Sequence, residues 1–77
     1  MKTFLIRINN SHDPYTKYLR CTVYDDGKVI VVLEGVPGSI PYTLEGASLD
    51  ELAQEAHWKD WKDAKAHQAV RTEEGSY

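Results

Sequence analysis

The side chains of this 77-residue chain that could do chemistry are three histidines, one cysteine and several neighbouring carboxylates. A hydrolytic metal centre needs two or more histidines at a fixed helical spacing together with a carboxylate. His12, His57 and His67 do not supply it, because His57 and His67 are separated by about 80° around an ideal helix. No H-x-x-x-H, H-E-x-x-H or C-x-x-C motif occurs. Asp63 lies one helical turn before His67, a spacing that suits a surface pair better than a ligand set. Metal binding is therefore not expected.

Covalent chemistry would need an activated nucleophile. Cys21 with a distant histidine, or a serine with His12 and Asp13, are the candidates, and neither comes with an elbow or oxyanion motif. Cys21 is the only cysteine, which excludes an internal disulfide and suits a reducing cytoplasm. Among Leu19, Val23, Val29 and Val31 it reads as a small buried apolar residue. Gly35-Val36-Pro37-Gly38 lacks the following Lys-Ser/Thr of a phosphate loop. Asp25-Asp26 sits at a hairpin tip, solvated and away from any pocket, which speaks against acid/base work. The reading is of a protein that is not an enzyme and takes no cofactor.

A chain this short builds one apolar core and hides roughly 60% of its unfolded surface, so a gripping surface is easier to make than a buried cleft. Its 42% hydrophobic and 27% charged content is that of a globular protein, and no run approaches the length of a membrane span. Met1 to Ile6 is too short an apolar run, and lacks the cleavage site, for a signal peptide. A soluble protein of the bacterial host cytoplasm is expected. The net charge is −3, unevenly spread: Lys and Arg are absent between Val29 and Trp58, where Glu34, Glu45, Asp50, Glu51 and Glu55 all fall. Nucleic-acid-binding domains show the opposite, a clustered basic stripe, so direct nucleic-acid binding is not expected.

The elements follow from periodicity. Phe4, Ile6 and Ile8 alternate with Leu5 and Arg7 as in a half-buried strand, and Asn9 to Pro14 breaks it. A second strand runs from Tyr18 to Tyr24 and a third from Lys28 to Glu34. A two-residue loop at Asp26-Gly27 would set Leu19 against Glu34 and Arg20 against Leu33. A three-residue loop with Gly27 in the left-handed position instead pairs Leu19 with Leu33, Cys21 with Val31 and Val23 with Val29, giving one clean apolar face. The other face then carries Tyr18, Arg20, Thr22, Tyr24, Lys28, Ile30, Val32 and Glu34. Either it is an interface, as tyrosines beside charges suggest, or another element covers Ile30 and Val32.

Ile40 to Leu44 reads as a short fourth strand that Pro41 confines to an edge. Ser48 and Glu51 form a capping box that starts a helix with the stripe Leu49, Leu52, Ala53 and Ala56. Continued straight, that helix would leave Trp58 opposite the stripe and Trp61 about 120° from it. A bend or restart near His57-Trp58 would bring tryptophan into the core, and that is the favoured reading over an exposed binding hot spot. Residues 71–77 show no apolar period and are expected to fray. The expected fold is α+β: one domain over residues 1–70, a three- to four-stranded antiparallel sheet with one or two C-terminal helices packed on one face.

The segment Tyr18-Leu19-Arg20-Cys21-Thr22-Val23-Tyr24-Asp25-Asp26-Gly27-Lys28-Val29-Ile30 resembles part of a small phage-encoded anti-CRISPR family that inhibits type I-F systems. The shared features are a V-Y-acid-D/N-G turn after a tyrosine-containing strand, a following glutamate, Glu34, and a short acidic helix, Ser48 to Ala56. The resemblance implies a non-catalytic inhibitor that docks on the backbone subunits of the crRNA-guided surveillance complex (Cascade) and blocks its recognition of target DNA. It carries Tyr24 and Glu34 over as contacts. Together with the outward face and the acidic stretch, the expected partner-binding set is Tyr18, Arg20, Tyr24, Lys28, Glu34, Glu45, Asp50, Glu51 and Glu55. The partner would be a protein or ribonucleoprotein complex. The sequence departs from the family where His12-Asp13-Pro14 enlarges the first loop and along residues 35–41. A second class, the partial ribonuclease-H-like antitoxins, has a similar strand order and a Pro-Gly before G-x-S-L-D-E-L, but usually continues into a DNA-binding segment.

Overall fold

The computed structural model describes residues 1–9, 17–72 and 75–76. Its elements in chain order are β1 (Lys2–Arg7), β2 (Tyr18–Val23), β3 (Lys28–Leu33), β4 (Tyr42–Glu45), α1 (Leu49–Glu55), α2 (Trp61–Ala66), β5 (Val70–Thr72) and β6 (Gly75–Ser76). The strands form one antiparallel sheet in the order β4-β3-β2-β1-β5-β6. The α+β class and the helices on one face agree with the sequence reading. No helix among the described residues is long and apolar enough to cross a membrane.

The β2-β3 hairpin adopts the register that separates apolar from polar side chains: Leu19 opposes Leu33, Cys21 opposes Val31 and Val23 opposes Val29. The loop is Asp25-Asp26-Gly27, closed by the Tyr24 N–H donating to the Lys28 carbonyl at 2.8 Å. Gly27 takes φ 91°, a conformation that a side chain resists. A slip of one residue would turn every core side chain outward, so burial and turn chemistry fix the same pairing.

The core joins Phe4, Ile6, Leu19, Cys21, Val29 and Val31 from the sheet to Leu52, Ala53, Ala56, Trp58, Trp61 and Ala64 from the helical layer. The Ser48-Glu51 capping box is formed. The first helix stops at Ala56, and His57 takes φ 68°, turning the chain before α2 restarts at Trp61 under an Asp60 cap. Both tryptophans are thereby buried. The Trp61 ring meets Phe4 edge-on at 5.2 Å, and the Trp58 indole N–H donates to the Arg7 carbonyl at 2.6 Å.

The sheet is wider than the three or four strands expected, because β5 pairs with the free edge of β1 and β6 pairs with β5. Arg71 and Thr72 do not fray: they belong to β5, where Val70 opposes Ile6, Arg71 opposes Leu5 and Thr72 opposes Phe4. Val70 is buried, so a short apolar anchor and the free edge of β1 hold a strand whose three residues are too few to show a period. The first-loop segment that departs from the anti-CRISPR pattern lies outside the described residues.

Candidate functional site: the open face of the sheet

Because alternate residues of a strand face opposite ways, burial of Phe4, Ile6, Cys21, Val29 and Val31 assigns their neighbours to the other face. The cross-strand pairs lay these out in rows. One row runs Arg71, Leu5, Arg20, Val32, and the next runs Thr3, Thr22, Ile30, Thr43. Toward the hairpin tip Lys28 opposes Glu45, beside Tyr24. At the far end the Glu34 N–H donates to the Tyr18 carbonyl at 2.8 Å, and the Arg20 Nε–H donates to Glu34 Oε2 in an ion pair whose partners are each about two-thirds shielded. Both helices contribute to the core on the opposite side, so no described element lies over these rows. Leu5, Ile30 and Val32 are half-buried by their own neighbours in the sheet.

The expected partner-binding residues divide. Tyr18, Arg20, Tyr24, Lys28 and Glu34 share the open face, and Glu45 joins them through its pairing with Lys28. Tyr24 and Glu34 lie toward opposite ends of it, about 20 Å apart along β3 at the usual rise of a strand. Asp50, Glu51 and Glu55 lie instead in the helical layer, each with a partner in its own chain. Asp50 accepts from the Trp61 N–H at 3.0 Å, Glu51 completes the capping box, and Glu55 accepts from the Tyr42 hydroxyl at 2.9 Å. Their acidity serves the start of α1, its join to α2 and the tie between α1 and β4. Thr3, Leu5, Thr43 and Arg71 also belong to the open face and were missed in the sequence. The alternation of β1 already placed Leu5 there, whereas nothing short of the β5 pairing places Arg71.

Charge on the open face is close to balanced, with Arg20, Lys28 and Arg71 against Glu34 and Glu45. Arg7 has the same strand parity, but its guanidinium donates to the His67 carbonyl at 2.9 Å and lies 5.7 Å from the Trp58 ring centre. It braces the α2-β5 junction. His67 stacks on Trp58 at 4.9 Å and sits 3.4 Å from the Asp63 carboxylate, the surface pair that the spacing suggested.

The candidate nucleophile is sealed in. Cys21 has no exposed surface, and burial, with a smaller contribution from the charge of Glu55, pushes its thiol up to about 12. At neutral pH it is a protonated core residue with no path to a substrate. Among the described residues no three His, Cys, Asp or Glu side chains come together as a metal site requires. The chain matches no protein-family model, no curated protein and no solved structure.

Proposed function

We propose that the protein is a non-catalytic binding protein that docks through the open face of its sheet, and that its partner is the backbone of a crRNA-guided type I surveillance complex, whose pairing with target DNA it blocks. The observation that carries the docking surface is the shared face of Tyr24 and Glu34, with Tyr18, Arg20 and Lys28 between and beside them. The partner comes from the resemblance of the hairpin to the anti-CRISPR family. Tyrosines at the two ends of the face, with half-buried Leu5, Ile30 and Val32 in the rows between, offer contact area at low entropy cost, and the Arg20-Glu34 pair presents charges already held in place.

The balance of charge on this face bears on how blocking works. With Asp50, Glu51 and Glu55 engaged in the helical layer, imitation of DNA phosphates by an acidic surface is not what the face offers. The domain would instead block by occupying space, with aromatic and aliphatic contact giving affinity and the local charges fixing orientation.

The test is a pull-down with purified type I surveillance complex, followed by a target-DNA mobility shift. Wild-type protein is expected to abolish the shift, and Tyr24→Ala to weaken inhibition about thirtyfold, the equivalent of a hot-spot loss of about 2 kcal/mol. Tyr24 is 38% exposed, so its truncation removes some packing as well, and a thermal denaturation of the variant separates that loss from the loss of docking. Undiminished DNA binding at saturating protein refutes the proposal.

A further inference from the structure

A second surface, independent of the open face, lies at the free edge of β4. Antiparallel pairs alternate between residues that exchange hydrogen bonds and residues that do not. Tyr24 N–H to Lys28 and Glu34 N–H to Tyr18 fix that alternation: even-numbered residues of β3 bond to β2, and Val29 and Val31 bond to β4. Their partners Leu44 and Tyr42 therefore turn their backbone groups inward, and Gly46 continues the series by donating to the Gly27 carbonyl at 2.9 Å. Thr43 and Glu45 turn their N–H and C=O groups outward, to an edge with no neighbour among the described residues.

We propose that this edge is a strand-addition site for an extended segment of a partner protein in which basic and apolar residues alternate. An incoming strand continues the pleat, so its side chains divide between the two faces of the sheet. On the helix side it meets Tyr42, which is 43% exposed, and half-buried Leu44, with Ile40 (85% exposed) and Leu49 (39% exposed) flanking the strand in sequence. These call for apolar residues. On the open-face side it meets Thr43 and Glu45, while on the helix side the Glu55 carboxylate, which accepts from the Tyr42 hydroxyl, adds negative charge behind that ring. Basic residues on the open-face side of the partner answer Glu45, since β4 and α1 contain no Lys or Arg and Lys28 opposes Glu45 only from the strand inward, leaving its outer side without a cation of β4 or α1. Pro41 occupies the next outward-facing position and has no N–H to offer, which confines the addition to the Thr43–Glu45 window.

The probe is a capped hexapeptide alternating valine with lysine, titrated into the isotopically labelled full chain and followed by amide chemical shifts. Shifts are expected to centre on Thr43 and Glu45, and a valine-glutamate peptide to bind at least tenfold more weakly. Thr43→Pro removes an outward N–H without touching the β3 ladder and is expected to cut affinity for the lysine peptide at least tenfold. If that variant unfolds, Glu45→Lys is the substitute and should reverse the preference between the two peptides. Shifts confined to the open face, equal affinity for both peptides, no binding of either, or self-association of the chain through this edge overturns the proposal.

Discussion

Alkaline unfolding tests whether Cys21 is the inert core thiol that the site requires. Its pKa is raised from 9.0 to about 12, first by burial and then by the charge of Glu55. In the unfolded chain the thiol gives up its proton near pH 9, while the folded protein keeps it. The stabilisation is therefore fully present below pH 9 and is lost as the pH rises toward 12. A shift of that size corresponds to about 4 kcal/mol at the upper limit, lost at about 1.4 kcal/mol per pH unit. Cys21→Ala removes the titrating group and leaves a small void costing about 1 kcal/mol at any pH. The variant should be the less stable protein at pH 8 and the more stable at pH 11, where the wild type has given up about 3 kcal/mol.

Urea unfolding under reducing conditions, followed by the fluorescence of Trp58 and Trp61, measures both proteins from pH 8 to pH 11. Tyr42, also raised to about 12, first by burial and then by its bond to Glu55, titrates in both, and the smallest part of its shift, from the charge of Cys21, is absent in the variant and adds to the same difference. A stability difference that stays constant across this range would refute the reasoning. It would mean that the thiol is not held neutral by its surroundings, and the case against a reactive cysteine would fall with it.

Other consequences are checked by thermal denaturation, where about 1 kcal/mol moves the midpoint of a domain this size by about 5 °C. Trp58→Phe keeps most of the ring but leaves the Arg7 carbonyl without its indole donor, and should cost about 1–3 kcal/mol. His57→Gly relieves a left-handed residue at the join between the helices and should stabilise by about 1 kcal/mol. Val70→Ala should cost about 2 kcal/mol, because Val70 anchors β5 against Ile6, and an unchanged midpoint would mean that β5 is not docked on β1.

What could be read in the sequence was whatever a local rule decides. The hairpin register followed from side-chain alternation and one glycine, and the start of α1 from a serine and a glutamate three residues apart. The break before Trp58 followed from helical geometry, since a straight helix cannot bring both the Leu52 stripe and the tryptophans to one core. What could not be read was set by contacts distant in sequence. Residues 70–72 are a strand because β1 has an unpaired edge to receive them. Asp50 and Glu55 looked like a free acidic surface because nothing local tells that one would accept from Trp61 and the other from Tyr42.

That last point explains why the two candidate surfaces differ in chemistry. Among the described residues the core contains no polar or charged side chain, so recognition rests on exposed groups, and the two candidate surfaces lie on the outside of the sheet and along its rim. The acids between Glu45 and Glu55 are drawn to the β4-α1 side by capping and by the tyrosine tie, which leaves the open face with nearly equal numbers of opposite charges. A balanced face with tyrosines selects by shape. An edge that carries Glu45, with Glu55 behind Tyr42 and Lys28 only on the inward strand, selects by charge as well. Raising the salt concentration should therefore weaken strand addition at β4 much more than docking through Tyr24 and Tyr18, because the first relies on exposed unlike charges and the second on buried contact area.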